Sequence, residues 1–298
     1  MTKVFYSSIA YLGLAMWLLA CDQDDHSNTD LYIQIPDESF EAQLINQGID
    51  SDTTINQQIL KSDAESISRL VLKGRQDTVI IDLTGIEGFT NLTFLSASYN
   101  DFTTVDLSNN LKLDSVSLIA NLLTEIDFSK NENLVYVQLE SNELRAVNGL
   151  SNKQKLNNVQ LSFNYLKELD VSNSAVEKVF AGDNDIETID LSGTGDLKNL
   201  FLKTNDLVSI DLSENPLLET VVLSDNKIQN LDVQVNHLIE YLWISSNSLT
   251  KLDVSSLSSL VHLTIHNNPD LSCVNIGSDQ DIPTVTKTEN QQLSEGCE

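Results

Sequence analysis

Leu92-Thr-Phe-Leu95-Ser-Ala97-Ser-Tyr-Asn100 is a clear copy of a frame that recurs down the chain, with apolar residues at its first, fourth and sixth positions and asparagine at its ninth. The closing asparagines number nine, at steps of 20 to 22 residues: Asn100, Asn121, Asn142, Asn164, Asn184, Asn205, Asn226, Asn247 and Asn268. Nine copies at near-constant spacing indicate stacked structural repeats, in which each turn packs against its neighbours.

Each repeat contains a short strand with one buried face. Leu200 and Leu202 flank Phe201, so the two leucines share one face and the phenylalanine lies on the other. The asparagine that follows, here Asn205, lies where the chain turns inward. Its amide is suited to hydrogen-bond backbone groups of adjacent turns that would otherwise be buried and unpaired.

The second half of each repeat has an apolar-Asp-apolar-Ser frame, which predicts a short extended segment on the opposite, convex wall. Its acidic residues form a column: Asp106, Asp127, Asp170, Asp190, Asp211, Asp232 and Asp253. Such carboxylates would repel one another unless each is hydrogen-bonded or screened. We expect each to accept hydrogen bonds from backbone N–H groups of its own turn, with divalent cations along the column as the alternative.

The frame LxxLxLxxNxL at this period resembles the leucine-rich repeat proteins, over residues 67–271. The resemblance implies a right-handed leucine-rich repeat solenoid, with parallel β-strands on the concave face and short extended segments on the convex face. Similarity to bacterial extracellular proteins of the internalin type implies protein interaction or adhesion at the level of the fold alone.

Composition and motifs exclude several functions. The 298 residues include 17 Lys and Arg against 44 Asp and Glu, for a net charge of -27, so we expect no nucleic-acid partner. The sequence has no GxSxG, HExxH, phosphate-loop or CxxC motif. We therefore expect no enzyme activity, no cofactor and no metal site.

Residues 1–20 have the pattern of a signal peptide, with an apolar stretch that precedes a small residue and an acidic segment. Leu18-Leu-Ala-Cys21 resembles the lipobox of bacterial lipoproteins, which implies that Cys21 is lipidated and anchors the protein in a membrane, most simply the outer membrane or cell surface. A secretory signal cleaved near Ala20 is the alternative, and both place the protein outside the cytoplasm. An acidic tether is predicted over 21–34.

Residues 35–66 depart from the repeat and predict a helical N-terminal cap, similar to that of the same bacterial proteins. Asp37 is a helix N-cap candidate, with Phe40 and Leu44 on one helical face. A second helix is predicted over 55–67.

A calcium loop is not predicted in this cap. Asp50, Asp52, Thr54 and Asn56 alternate as ligands would, but the sixth position lacks glycine and Lys61 occupies the twelfth, where glutamate is needed.

Residues 272–298 are predicted as a C-terminal cap, similar to the cysteine-closed cap of the same family. Cys273 and Cys297 lie in this segment, and outside the cytoplasm they are candidates for a disulfide.

The open strand face is the candidate binding surface. It comprises 27 positions in three columns, which hold one acid, Glu140, and two bases, Lys178 and Lys203. Consecutive turns place Phe180, Phe201, Val222 and Trp243 in the middle column, with Tyr241 beside Trp243.

Exposed aromatic groups with a polar border are typical of interaction sites. We therefore predict a protein or peptide ligand on Phe180, Phe201, Val222, Tyr241 and Trp243, flanked by Lys178 and Lys203. Carbohydrate binding is the alternative, because aromatic faces also stack on sugar rings. A further alternative is an envelope spacer without a ligand, in which strand propensity alone accounts for the aromatic residues.

Overall fold

The fold is described for residues 31–74 and 78–297 in a computed structural model. The predicted signal peptide and the lipidation site Cys21 lie outside the described residues, as does most of the predicted tether. Within the described ranges, none of the helices has the length and apolar character needed to span a membrane.

The concave wall is one parallel sheet of eleven strands. Numbered in chain order, its strands are β3 (Arg69–Val71), β4 (Phe94–Ser96), β5 (Ser115–Ser117), β7 (Tyr136–Gln138), β9 (Asn158–Gln160), β11 (Lys178–Phe180), β13 (Asn199–Phe201), β14 (Thr220–Val222), β15 (Tyr241–Trp243), β17 (His262–Thr264) and β19 (Thr284–Thr286). The predicted solenoid with its parallel concave strands is confirmed.

Short parallel pairings form the convex wall, as the resemblance implied. They comprise β6 (Glu125–Asp127) with β8 (Ala146–Asn148), β10 (Glu168–Asp170) with β12 (Thr188–Asp190), and β16 (Leu252–Asp253) with β18 (Cys273–Asn275) and β20 (Gln292–Ser294). Between the two walls runs one continuous apolar core, in which Leu200 and Leu202 are fully buried. Each turn buries little surface alone, so stability depends on stacking.

The repeated asparagine joins consecutive turns, as predicted. Asn142 donates its side-chain amide to the carbonyl of Leu118 at 2.9 Å and to that of Leu139 at 3.0 Å. Its side-chain oxygen accepts from the backbone N–H of Leu123 at 3.2 Å. Similar amide donor bonds recur at the other eight positions, and the acceptor bond recurs at all of these except Asn121. Every member except the half-buried Asn226 is buried. The asparagine ladder therefore satisfies backbone groups that lie beyond the reach of water.

A second asparagine ladder, which was not predicted, lies on the convex side. Its buried members are Asn110, Asn131, Asn215 and Asn236. Asn236, for example, donates to the carbonyls of Leu212 at 3.0 Å and Asn215 at 2.9 Å. The available signal was an asparagine four residues after the frame aspartate in four of the repeats.

The N-terminal cap differs from the prediction in its second half. Helix α1 (Glu38–Asn46) begins after the N-cap Asp37, whose carboxylate accepts from the Phe40 N–H at 2.9 Å, as expected. The predicted second helix is wrong over its first part, where strand β2 (Gln58–Leu60) precedes a helix α2 of only five residues (Lys61–Glu65).

The cause of this difference is the buried carboxylate of Glu41. It accepts hydrogen bonds from the backbone N–H groups of Asn56, Gln57 and Gln58 at 2.9 to 3.2 Å, which holds this segment out of a helix. Strand β2 pairs instead with β1 (Tyr32–Gln34), which lies within the segment predicted as tether.

The C-terminal segment continues both walls of the solenoid. Strand β19 extends the concave sheet beyond β17, and β20 pairs with β18 on the convex side. The predicted disulfide between Cys273 and Cys297 is present, with their Cα atoms 5.8 Å apart. Closing a loop of this length contributes on the order of 3 kcal/mol in the chain-entropy model.

The ladder yields a stability prediction. Replacing Asn205 with alanine should lower the free energy of unfolding by about 1–3 kcal/mol, because it leaves the Ile186 N–H unpaired and removes one of the two side-chain amide donors from each of the carbonyls of Ala181 and Leu202. Urea denaturation followed by circular dichroism measures the change. The control is Asn230→Ala at an exposed asparagine outside the ladder, which should stay within about 0.5 kcal/mol of the native protein. Equal effects of the two variants would contradict the role assigned to the ladder.

Candidate functional site

The predicted aromatic residues lie on the concave sheet in the expected register. Phe180 pairs with Phe201, and their rings stack with centroids 4.7 Å apart and planes inclined by 17°. This separation is close to the strand spacing of a sheet, so the pairing of β11 with β13 is sufficient to align the rings. Both rings are half-buried.

A second aromatic group lies two strands further along. Tyr241 and Trp243 are the more exposed members, at 39% and 38%. His262 packs beside both, with its ring centroid 5.7 Å from that of Trp243 and 6.4 Å from that of Tyr241. We call Phe180, Phe201, Tyr241 and Trp243 the aromatic patch.

Val222 is not available to a ligand, which corrects its prediction as a binding residue. It lies between Phe201 and Trp243 in register, but only 3% of its surface is exposed. Its side chain is short beside two large aromatic neighbours. The aromatic patch therefore consists of two separate groups of exposed rings, with the buried Val222 between them, rather than one continuous column.

The two predicted lysines differ in their surroundings. Lys178 adjoins Phe180 on β11 and is half-buried. Lys203 is exposed, and its Nζ lies 3.6 Å from Oδ2 of Asp225. An exposed pair at this distance contributes little to stability, so Lys203 is free to exchange this partner for one on a ligand.

The N-terminal half of the concave sheet is polar. Gln138 donates to Oε1 of Gln160 at 3.0 Å, and the Gln160 amide donates to Tyr136 Oη at 3.1 Å and to Asn158 Oδ1 at 3.3 Å. The side chains of Tyr136, Gln138, Asn158 and Gln160 are all uncharged at neutral pH. This network therefore supplies no positive charge to the acid beside it.

That acid is Glu140, two residues beyond Gln138. It is half-buried, and its Oε2 is shielded from water with no hydrogen-bond partner in the part of the chain that the structure describes. Burial raises the pKa of the Glu140 carboxyl. The pKa of Tyr136 is also raised, mainly by burial and to a smaller extent by the negative charge of Glu140. An ionised carboxylate here would be stabilised by a cation, and none of the ion pairs among the described residues involves it.

Comparison with solved structures identifies the architecture. The functional domain of InlJ from Listeria monocytogenes, which includes a cysteine ladder, matches at 23% identity and a TM-score of 0.72 over 89% of this chain and 63% of that chain. The LRIM1/APL1C complex matches at 24% identity and a TM-score of 0.61 over 78% and 46%. The leucine-rich repeat domain of APL1B matches at 24% identity and a TM-score of 0.50 over 70% and 63%.

The fold is that of the leucine-rich repeat proteins. The resemblance to internalin-type leucine-rich repeat proteins is thus confirmed for the fold. The chain spans less than two thirds of the length of the InlJ chain that it matches. No family model and no curated protein matches the sequence.

The aspartate column of this leucine-rich repeat solenoid is hydrogen-bonded as predicted. Each carboxylate accepts from the backbone N–H two residues later, at 2.7 to 3.0 Å, in the pairs Asp106–Ser108, Asp127–Ser129, Asp170–Ser172, Asp190–Ser192, Asp211–Ser213, Asp232–Gln234 and Asp253–Ser255. Bonds from the side chain and backbone of Ser192 lower the pKa of Asp190. In residues 31–74 and 78–297, no group of three or more His, Cys, Asp or Glu side chains could hold a metal ion.

Glu140→Gln should stabilise the leucine-rich repeat solenoid at pH 7, by on the order of 1 kcal/mol. Because the folded-state pKa is raised, the ionised carboxylate costs stability at neutral pH. That cost disappears as pH falls through the raised pKa towards the ordinary value. Urea denaturation at pH 7, 5.5 and 4.5 should therefore show the two proteins converging.

Asp190→Asn is the matched control, because its effect on the free energy of unfolding should have the opposite sign. A lowered folded-state pKa contributes stability that is present above the ordinary pKa and is lost as pH falls through the lowered one. This variant should therefore be less stable than the native protein at pH 7. A Glu140→Gln advantage that stays constant from pH 7 to 4.5 would contradict the assigned cause.

Proposed function

We propose that this protein is a non-catalytic binding protein of the cell envelope, and that its concave surface binds a protein or peptide partner through the aromatic patch. The observation that carries the proposal is the exposure of Tyr241 and Trp243, at 39% and 38%, on an otherwise nearly uncharged surface. Large aromatic side chains with an apolar body and a polar tip are the usual anchors of protein interfaces.

The charge distribution supports this reading. Acids outnumber bases by 44 to 17 in the whole chain, whereas the 27 concave positions contain a single acid. Interface centres are typically depleted of charge, because each buried charge must be desolvated. An inert spacer has no need of such a difference between one surface and the rest of the molecule.

The solved structures add support at the level of the fold. Among the similar structures is a complex of two proteins, LRIM1 and APL1C. The architecture is therefore one that occurs in protein complexes. At this level of identity the resemblance identifies no partner for the present chain.

A carbohydrate is the second candidate ligand. The paired rings of Phe180 and Phe201 lie nearly parallel, 4.7 Å apart, and present one broad apolar area. Sugar rings also pack on such areas. Lys178 and Asn199 lie on the same strands as these rings and could hydrogen-bond sugar hydroxyls, so a binding experiment is needed to separate the two ligand classes.

A pull-down with the double variant Phe201→Ser, Trp243→Ser tests the proposal. The native protein should retain a specific protein from envelope or host-protein fractions, and the variant should lose at least about 90% of it, since two anchors together contribute several kcal/mol. Polysaccharide fractions are tested in parallel. Retention of a glycan alone would favour the second candidate.

The matched control is Val235→Ser, Leu238→Ser, which removes two exposed apolar side chains outside the concave columns. This control should keep the partner. Circular dichroism checks that all variants are folded. Equal retention by the native protein and the concave variant, or no retention by either, would reject the aromatic patch as the site.

The location of the protein is a separate part of the proposal. We infer that Cys21 is lipidated and anchors the chain in an envelope membrane, with the solenoid outside the cytoplasm. The supporting observations are the lipobox-like segment Leu18–Cys21 and the Cys273–Cys297 disulfide, which suits an oxidising compartment. Several acyl chains on one residue would make the attachment stable.

Cys21→Ser tests this anchor. The native protein should incorporate labelled palmitate and sediment with membranes. The variant should lose the label and most of its membrane association, because the acyl chains supply the apolar surface that binds the bilayer. Cys273→Ser is the control for cysteine loss. Unchanged labelling of the Cys21 variant would contradict the lipid anchor.

A further inference from the structure

The bend that precedes each ladder asparagine requires a left-handed backbone. The residue before the asparagine has φ between 53° and 62° in all nine repeats: Tyr99, Ala120, Ser141, Phe163, Asp183, Thr204, Asp225, Ser246 and Asn267. L residues seldom adopt this conformation, and Asn and Asp tolerate it best. These nine residues form one rim of the solenoid, directly beside the third concave column.

Most of the rim suits its backbone, but the rings of Phe163 and Tyr99 and the β-branched Thr204 do not. Six of the nine positions hold Ala, Ser, Asp or Asn. Phe163 has φ 61° and leaves 59% of its surface in water. A bulky ring is unfavourable in this conformation and gains little from burial here, so neither backbone preference nor packing accounts for it. Residues held against local preference are candidates for a functional role.

The backbone of Glu140 lies next to that of Phe163 in adjacent turns. The N–H of Ser141, the residue after Glu140, donates to the carbonyl of Ser162, the residue before Phe163, at 3.1 Å. Strand spacing then places the Cα atoms of Glu140 and Phe163 about 5–7 Å apart. The residue that holds a half-buried carboxylate without a cation, in the third concave column, thus neighbours the rim residue that exposes an aromatic ring.

This combination suits a basic side chain. Lysine and arginine carry an apolar stem that packs on a ring and a charged end that pairs with a carboxylate. The solenoid already holds such contacts elsewhere, because the Arg69 guanidinium lies 3.5 Å from the ring centroid of Phe94 and that of Arg145 lies 5.5 Å from the centroid of Tyr165.

We propose that Glu140 and Phe163 form a subsite for a lysine or arginine side chain of the protein partner. The inference rests on the proposed function, since it gives the chemistry of one contact made by the same partner. Glu140 lies two turns before Phe180 and Phe163 one turn before it. With the two-residue offset along the strand, Glu140 is about 12 Å from Phe180 across the sheet. In an extended partner segment, the basic residue therefore lies about three to five residues from the aromatic or aliphatic anchor.

Fluorescein-labelled decapeptides provide the probe. Each has one tryptophan and one lysine, three, four or five residues apart, in an otherwise uncharged sequence, and each has a counterpart with norleucine in place of lysine. Anisotropy titrations with the full chain at about 0.15 M salt limit long-range attraction by the net charge. We expect the native protein to bind at least one lysine peptide about tenfold more tightly than its counterpart.

Three variants separate the subsite from general charge. Glu140→Gln should abolish the lysine preference while keeping the affinity for the norleucine peptide. Phe163→Asn introduces the residue present at Asn267, so it should reduce the preference about threefold or more while the unfolding midpoint stays equal or rises. Glu143→Gln removes an exposed acid three residues from Glu140 and should keep the preference.

The inference is overturned if the native protein binds lysine and norleucine peptides equally, including binding neither. It is also overturned if Glu140→Gln keeps the preference, or if Glu143→Gln removes it to the same extent. A partner that depends on Phe201 and Trp243 without any lysine preference would reject this subsite and retain the proposed function. A lysine preference that depends on Glu140, without any pull-down partner that depends on the aromatic patch, would reject the aromatic patch alone.

Discussion

The structure depends on the pairing of backbone groups that each inward bend would otherwise leave unpaired in an apolar core. The ladder asparagine solves this problem because one side chain carries both a donor and an acceptor. Asn142 bonds to its own turn and to the preceding turn, so the same amide closes one repeat and fixes its neighbour. The inward position of the asparagine in turn requires the left-handed residue before it, and that requirement creates the rim. The period, the register and the rim therefore have a single cause.

The fold could be predicted from the sequence because the asparagine that pairs these backbone groups recurs in every repeat. The spacing of the asparagines and the alternation around Leu200 and Leu202 were sufficient for the concave sheet and its core. The cap was less predictable because it is irregular: three backbone bonds to the single carboxylate of Glu41 outweigh the helical pattern of residues 55–67. A long-range contact of this kind has no local signature in one sequence.

The candidate site was predictable only in part, for a similar reason. The register of the strands followed from the repeat, so the columns that hold Phe180, Phe201 and Trp243 were correct. Exposure did not follow, because it depends on the sizes of neighbours in adjacent turns. Val222 is covered by its neighbours, although it has the same strand position as Phe201. The unpaired Glu140 and the backbone of Phe163 could be recognised only once partners and torsion angles were known.

The outward side chains of the concave wall contribute little to holding the turns together, so unusual residues among them are informative about function. Core residues and both asparagine ladders hold the turns together from within, so the outward columns are free to vary. On such a surface, chance substitution would favour residues that suit the local backbone and remain solvated. Glu140 and Phe163 do the opposite, since one holds an unpaired carboxylate oxygen out of water and the other exposes a ring on a left-handed backbone. Two neighbouring positions that both run against local preference are more readily explained by one bound group that benefits from both than by two unrelated defects.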